Sequence, residues 1–209
     1  VAEETGVVHR LSQYALSRAA GDLADWQERF DRPPWLAVNI SGAQFREAEF
    51  VRDISVLLHQ HRISPEKLHL EITEEVLIEN LARNRRVLEQ LDDIGLPLVV
   101  DDFGIGYSSL AYIKNFPVST IKIDQGFIRG IQNDPDDQAI TRTICNLSHE
   151  LALKTVAEGI EQPGQLELLR RYGCDLGQGF LFMPPVSAGE ITRLLDGPLP
   201  WRELGVASP

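Results

Sequence analysis

The chain has 209 residues, 43% of them hydrophobic, and a formal net charge of −11. That size supports one globular domain, residues 1–209, with a full core, and no apolar run approaches the length of a membrane-spanning helix. The acidic balance argues against a basic face for a nucleic-acid polymer, yet allows a small anionic ligand accompanied by divalent cations.

Nothing in the opening residues reads as a signal peptide, and two cysteines, Cys145 and Cys174, make no disulfide framework. Both points favour a cytoplasmic setting. A long amphipathic segment comes first, with Leu11, Tyr14, Leu23, Trp26 and Phe30 expected inward, and Arg32-Pro33-Pro34 breaks it. Leu36 to Ser41 reads as a strand carrying Asn39. A helix with Phe50, Ile54, Leu57 and Leu58 inward follows. After Ser64-Pro65, the run Leu68–Glu74 reads as a strand ending in acids, then a helix from about Glu75 to Ile94 with Gly95 as its stop.

Leu98 to Val100 reads as a buried strand ending in the adjacent carboxylates of Asp101 and Asp102. Thr120 to Asp124 is a compact strand carrying Lys122, and Asp134-Pro135 opens a helix with Ile140, Ile144, Leu147 and Leu151 inward. Lys154 to Glu161 reads as strand-like with acids at its end. Leu166, Leu168 and Leu169 mark a helix closing at Tyr172-Gly173. Gly177 to Phe182 is the last strand region, Leu181-Phe182-Met183 is expected in the core, and Ser187 with Glu190 reads as a capping box. None of the five histidines shows metal or triad spacing.

Strand–helix alternation of this kind predicts a parallel sheet with right-handed crossovers. Each strand delivers a polar residue at the same end: Asn39, Glu71, Asp101 with Asp102, Lys122, Glu158 and Gln178. Functional groups at the carboxyl ends of consecutive strands favour a (β/α) barrel over the single crevice of a doubly wound sheet. Two neighbouring carboxylates repel each other and lose hydration on burial, so a cation or donors must offset them. After them Gly104 and Gly106 let the backbone turn tightly beside a ligand.

The set Asn39, Glu71, Asp101, Asp102, Glu158 and Glu161 consists of hard oxygen donors, which favour Mg²⁺, Mn²⁺ or Ca²⁺ over zinc. So many carboxylates call for two cations, an arrangement suited to displacement at phosphorus. Lys122 reads either as a group that stabilises developing charge or as the partner of a rim acid. Glu74 and Glu161 read either as functional or as solvated strand-to-helix residues, and Gly177-Gln178-Gly179 also reads as a simple turn.

Taken together, Asn39-Ile40-Ser41, Glu71-Ile72-Thr73-Glu74, Asp101-Asp102-Phe103-Gly104, Lys122-Ile123-Asp124, Glu158-Gly159-Ile160-Glu161 and Gln178-Gly179-Phe180 resemble the EAL domain family of bacterial cyclic di-GMP phosphodiesterases, in family order. The resemblance implies a modified TIM barrel that hydrolyses cyclic di-GMP to linear pGpG. It implies Asn39, Glu71, Asp101, Asp102 and Glu158 as ligands of two Mg²⁺ or Mn²⁺ ions, Lys122 as the catalytic lysine, and Glu161 and Gln178 as water- or substrate-placing residues. Glu74 is implied to anchor the loop Phe103 to Ser109, including Gly104, Gly106 and Ser108, which in the family couples a homodimer to the metal site. Two departures accompany it. The Glu-Ala-Leu motif and the first two barrel strands, with one further glutamate ligand, are expected upstream of Val1, and Ile105 stands where the family usually has Thr. A sensory or GGDEF domain upstream, and a membrane tether in the parent protein, are further expectations. Two other functions compete: a silent cyclic di-GMP receptor, and a metal-assisted lyase or racemase with Lys122 as base.

Overall fold

A computed structural model describes residues 7–105, 113–197 and 201. Two compact units divide the chain: Val1–Asp101 with Gly106–Ser119, and Asp102–Ile105 with Thr120–Pro209. No helix among the described residues is long and apolar enough to cross a membrane.

In the first unit, α1 (Val7–Arg29) precedes β1 (Leu36–Asn39), α2 (Gly42–Phe45), α3 (Phe50–His61), β2 (Leu68–Thr73), α4 (Glu74–Glu79), α5 (Leu81–Ile94) and β3 (Leu98–Phe103), the last belonging to this unit up to Asp101. The strands pair in parallel, Leu36 with Leu68 through Asn39 with Glu71, and Leu70 with Leu98 through Thr73 with Asp101. Leu68, Leu70 and Ile72 alternate along β2 and are buried, whereas Leu98, Val99 and Val100 are buried in succession, as in a strand covered on both faces.

The helices differ from expectation in instructive ways. Along α1 the buried residues are Leu16, Ala20, Leu23 and Trp26, whereas Leu11 and Tyr14 are exposed. Nine residues at helical pitch separate Tyr14 from Leu23 by about 180°, so both cannot face one core. Phe50, Ile54 and Leu58 are buried on α3, while Leu57 is half-buried. The single helix expected from Glu75 to Ile94 is two helices. Asn80 (φ −147°, ψ 78°) interrupts it, and its side chain accepts from the Arg83 N–H at 3.3 Å as a new cap. Asn84 is buried behind that break and donates through Nδ2 to the carbonyls of Val76 (2.7 Å) and Leu77 (3.1 Å), which the end of α4 would otherwise leave unmatched. Gly95 closes α5, as expected.

The second unit contains β4 (Thr120–Ile123), α6 (Gln125–Gly130), α7 (Pro135–Glu150), β5 (Lys154–Ala157), α8 (Pro163–Arg171), β6 (Leu176–Gly177) and α9 (Ala188–Leu195). Its strands are parallel too, Thr120 pairing with Lys154 and Val156 with Leu176. On α7 the buried stripe is Thr141, Ile144, Cys145 and Ser148, and Ile140 is exposed. Small side chains occupy that seam, so counting large apolar residues misplaces it. The last strand stops at Gly177, because a turn with a Phe182 N–H to Gly179 carbonyl bond (3.1 Å) follows, and Leu181-Phe182-Met183 is half-buried rather than core. Ser187 and Glu190 form the expected box: the Glu190 N–H reaches Ser187 Oγ at 3.3 Å, and the Ser187 N–H reaches Glu190 Oε2 at 2.9 Å.

Asp175 ties the start of β5 to the approach to β6. Its Oδ2 accepts from the N–H and the hydroxyl of Thr155, each at 2.8 Å, while the Asp175 N–H donates back to Thr155 Oγ1 at 3.1 Å. Burial acts to raise the Asp175 pKa, but these donors and the His149 ring outweigh it and hold the carboxyl below its usual value. A depressed carboxyl stabilises the fold above its unfolded pKa of about 3.9 and loses that contribution as pH falls through the lower folded value. The gap in melting temperature between wild type and Asp175→Ala is therefore expected to be widest above about pH 5 and to narrow below about pH 4; melts across that range check it.

Candidate functional site

The first unit presents Asn39 and Glu71 side by side. They are register partners on parallel strands, so their side chains leave the same face, and one rung further Thr73 stands beside Asp101. Asn39 is exposed, whereas Glu71 and Asp101 are each 8% exposed. Glu74, the first residue of α4, is buried as well.

In the second unit Lys122 sits on β4 with 4% exposure, and its Nζ lies 2.7 Å from Glu158 Oε1. The backbone sets that distance: Ile123 pairs with Ala157, and the Glu158 N–H donates to the Ile123 carbonyl at 3.1 Å. A charge-assisted contact this short between largely buried partners holds both side chains in place.

Asp102 opens the second unit directly after Asp101. It is exposed and has φ of 54°, in the left-handed region that few residues other than glycine occupy. Consecutive strand residues ordinarily point to opposite faces. Within the second unit, Asp102 and Glu158 each offer a carboxylate oxygen to a group that could hold a metal ion, with the left-handed turn at Asp102 setting the direction of its side chain. Among the described residues Glu71 and Glu161 are not in that group.

Phe103 is 2% exposed, a core side chain. Gly104 has φ of 101°, and a Cβ there would stand 2.9 Å from Phe127 Cε2, so neither backbone nor space admits a side chain. Gly106 and Ser108 lie outside the described residues. Glu161 and Gln178 have exposed side chains, but their backbones are fixed: the Gln178 N–H donates to Ala157, the Ile160 N–H to Gln178, and the Leu181 N–H to Ile160. Gln165 escaped sequence reasoning. It is 3% exposed, and its Oε1 accepts from the N–H groups of Glu161 and Gln162. The available signal was its place in the first turn after Pro163, three residues beyond Gln162.

A family model for the EAL domain matches residues 1–185. The chain belongs to the EAL domain family. It is similar to the signaling protein YkoW of Bacillus subtilis, 37% identical over 93% of this chain and 24% of that protein. It is also similar to the bifunctional diguanylate cyclase/cyclic di-GMP phosphodiesterase MucR of Pseudomonas aeruginosa, 39% identical over 91% of this chain and 28% of that protein. The EAL chain thus spans about a quarter of the length of these relatives. Among solved structures, the MucR phosphodiesterase in complex with c-di-GMP superposes with a TM-score of 0.88 at 39% identity, covering 91% of this chain and 77% of that one. The parallel α/β fold expected from strand–helix alternation, the EAL form of the (β/α) barrel, is borne out.

The loop after β6 admits a direct test. Gly179 has φ of 157°, and a Cβ would stand 2.2 Å from the carbonyl oxygen of Ile160, a backbone atom that cannot step aside. Gly179→Ala is expected to lower stability by about 3 kcal/mol, seen as a drop in the denaturant midpoint.

Proposed function

We propose that this EAL domain hydrolyses one phosphodiester bond of cyclic di-GMP to give linear pGpG. The carrying observation is the buried Lys122–Glu158 pair at 2.7 Å, with Asp102 offering a carboxylate oxygen to the same group as Glu158. The likeness to MucR, a bifunctional diguanylate cyclase/cyclic di-GMP phosphodiesterase, and to its c-di-GMP complex supports the substrate. Lys122, Glu71, Asp101, Asp102, Glu158 and Glu161 are all present in the sequence, which supports hydrolysis over a silent receptor.

The donor set fits hard divalent ions. The expected ligands are carboxylates and an amide, all hard oxygen donors, and the carboxylates alone would leave excess negative charge. Asp101, Asp102 and Glu158, with Asn39 and Glu71, would hold two Mg²⁺ or Mn²⁺ ions. Such ions supply charge neutralisation for a phosphate and a water acidic enough to lose its proton near neutral pH. Lys122 then does two things: it holds Glu158 in one orientation, and it places a desolvated ammonium where negative charge develops on the phosphate. Glu161 and Gln178 orient water and substrate at the rim. Glu74, Phe103, Gly104, Gly106 and Ser108 form and anchor the loop through which two copies would associate. A cytoplasmic site of action, an upstream sensory or GGDEF domain and a parent tethered to the membrane complete the reading.

Lys122→Ala in the protein that carries this chain is expected to lower kcat about 10²- to 10³-fold with KM for cyclic di-GMP little changed. Chromatographic quantification of pGpG with Mg²⁺, with Mn²⁺ and after chelation measures both the lysine and the metal requirement. Wild-type turnover in the alanine variant, or turnover indifferent to chelation, would sink the reading.

A further inference from the structure

The loop from Glu158 to Gln162 carries two of the expected site residues, yet it contains neither helix nor strand, so something outside it must fix its position. Its first part is laced to the segment after β6. The Ile160 N–H donates to the Gln178 carbonyl at 3.0 Å, and the Ile160 carbonyl accepts from the Leu181 N–H at 2.9 Å. Its second part has a different support. Gln165 Oε1 accepts from the N–H of Glu161 at 2.8 Å and from that of Gln162 at 2.9 Å. The same carboxamide donates through Nε2 to the Ile128 carbonyl at 3.0 Å, on α6. α6 follows Lys122 by two residues, with Asp124 capping it through the Gly126 N–H at 2.7 Å.

One side chain thus joins the loop bearing Glu158 and Glu161 to the helix that follows the strand bearing Lys122. Both acceptor positions and one donor are used, and the side chain is 3% exposed, so water does not compete for them. The Ile128 side chain is fully buried, which leaves that end of the clasp little freedom.

We infer that Gln165 is a positioning residue for the phosphodiesterase reaction: its carboxamide sets the spacing between the loop carrying Glu158 and Glu161 and the β4–α6 segment carrying Lys122. The inference rests on the function proposed above. Outer-shell groups that orient ligands typically carry about 10- to 100-fold in activity or metal affinity when lost. Gln165 differs from a simple helix cap in that its bonds extend beyond α8 to a second helix.

The test compares wild type, Gln165→Met and Leu169→Ala in the protein that carries this chain. Met matches the length of Gln without its hydrogen bonds, and Leu169, 2% exposed on the same helix, is a core residue outside the clasp. Melting temperature, kcat and KM for cyclic di-GMP, and the Kd for Mn²⁺ by electron paramagnetic resonance are measured well below the lowest melting temperature. Gln165→Met is expected to lose about 10- to 100-fold in kcat with KM little changed, and to weaken Mn²⁺ binding about 10-fold, while Leu169→Ala loses melting temperature alone. A Gln165→Met variant that melts earlier but keeps wild-type kcat and Mn²⁺ Kd overturns the inference, as does a Leu169→Ala variant that loses kcat and Mn²⁺ affinity equally. If wild type binds Mn²⁺ but does not turn over, the proposed reaction fails and the Mn²⁺ comparison alone decides the role of Gln165. A wild type that neither binds Mn²⁺ nor turns over overturns both. Should Gln165→Met not fold, Gln165→Glu, which keeps the acceptor and loses the donor to Ile128, is read by the same criteria.

Discussion

A lysine ammonium and a glutamate carboxylate held 2.7 Å apart, both largely shielded from water, impose the strictest demand in this protein. Neither charge is tolerable there alone; deleting one member of such a pair typically costs about 3–5 kcal/mol. The parallel register of β4 and β5 brings Ile123 beside Ala157, and one further backbone bond from Glu158 to Ile123 completes the approach. Side-chain electrostatics and backbone ladder therefore specify the same geometry, and neither can shift without the other.

Around that pair the second unit is built by interlocking rather than by bulk. Loop backbones bond to each other across Ile160, Gln178 and Leu181, glycine stands where a side chain would strike a carbonyl, and the buried Gln165 amide closes the gap to α6. Apolar burial, at about 25 cal/mol per Å², holds the strands and helices together but sets no loop to within an ångström. Oriented hydrogen bonds do that, since each buried donor or acceptor left unmatched costs about 1–3 kcal/mol. The residues that carry chemistry are accordingly at strand ends, and those that place them are polar and buried.

Much of this was legible in the sequence because it is local. The strands announce themselves as apolar runs ending in acids or a lysine, Gly95 closes its helix, and Ser187 with Glu190 forms its box within four residues. What escaped depends on tertiary partners. Ile140 is apolar yet exposed, because Thr141, Cys145 and Ser148 present a thinner seam for packing. The interruption at Asn80 is paid for by Asn84 reaching back to Val76 and Leu77, an arrangement visible only once both helices exist. The local sequence around Gln165 signals at most a helix-start cap with Gln162, and its other partner, Ile128, lies thirty-seven positions away.

The left-handed backbone at Asp102 has an evolutionary corollary. A non-glycine residue there stores on the order of 1–3 kcal/mol of conformational energy, and the backbone that stores it sets the direction of a carboxylate grouped with Glu158. Selection for thermal robustness alone would drift toward glycine at this position, relaxing the chain while erasing a ligand. Aspartate in a left-handed conformation makes position 102 one where activity and durability pull in opposite directions.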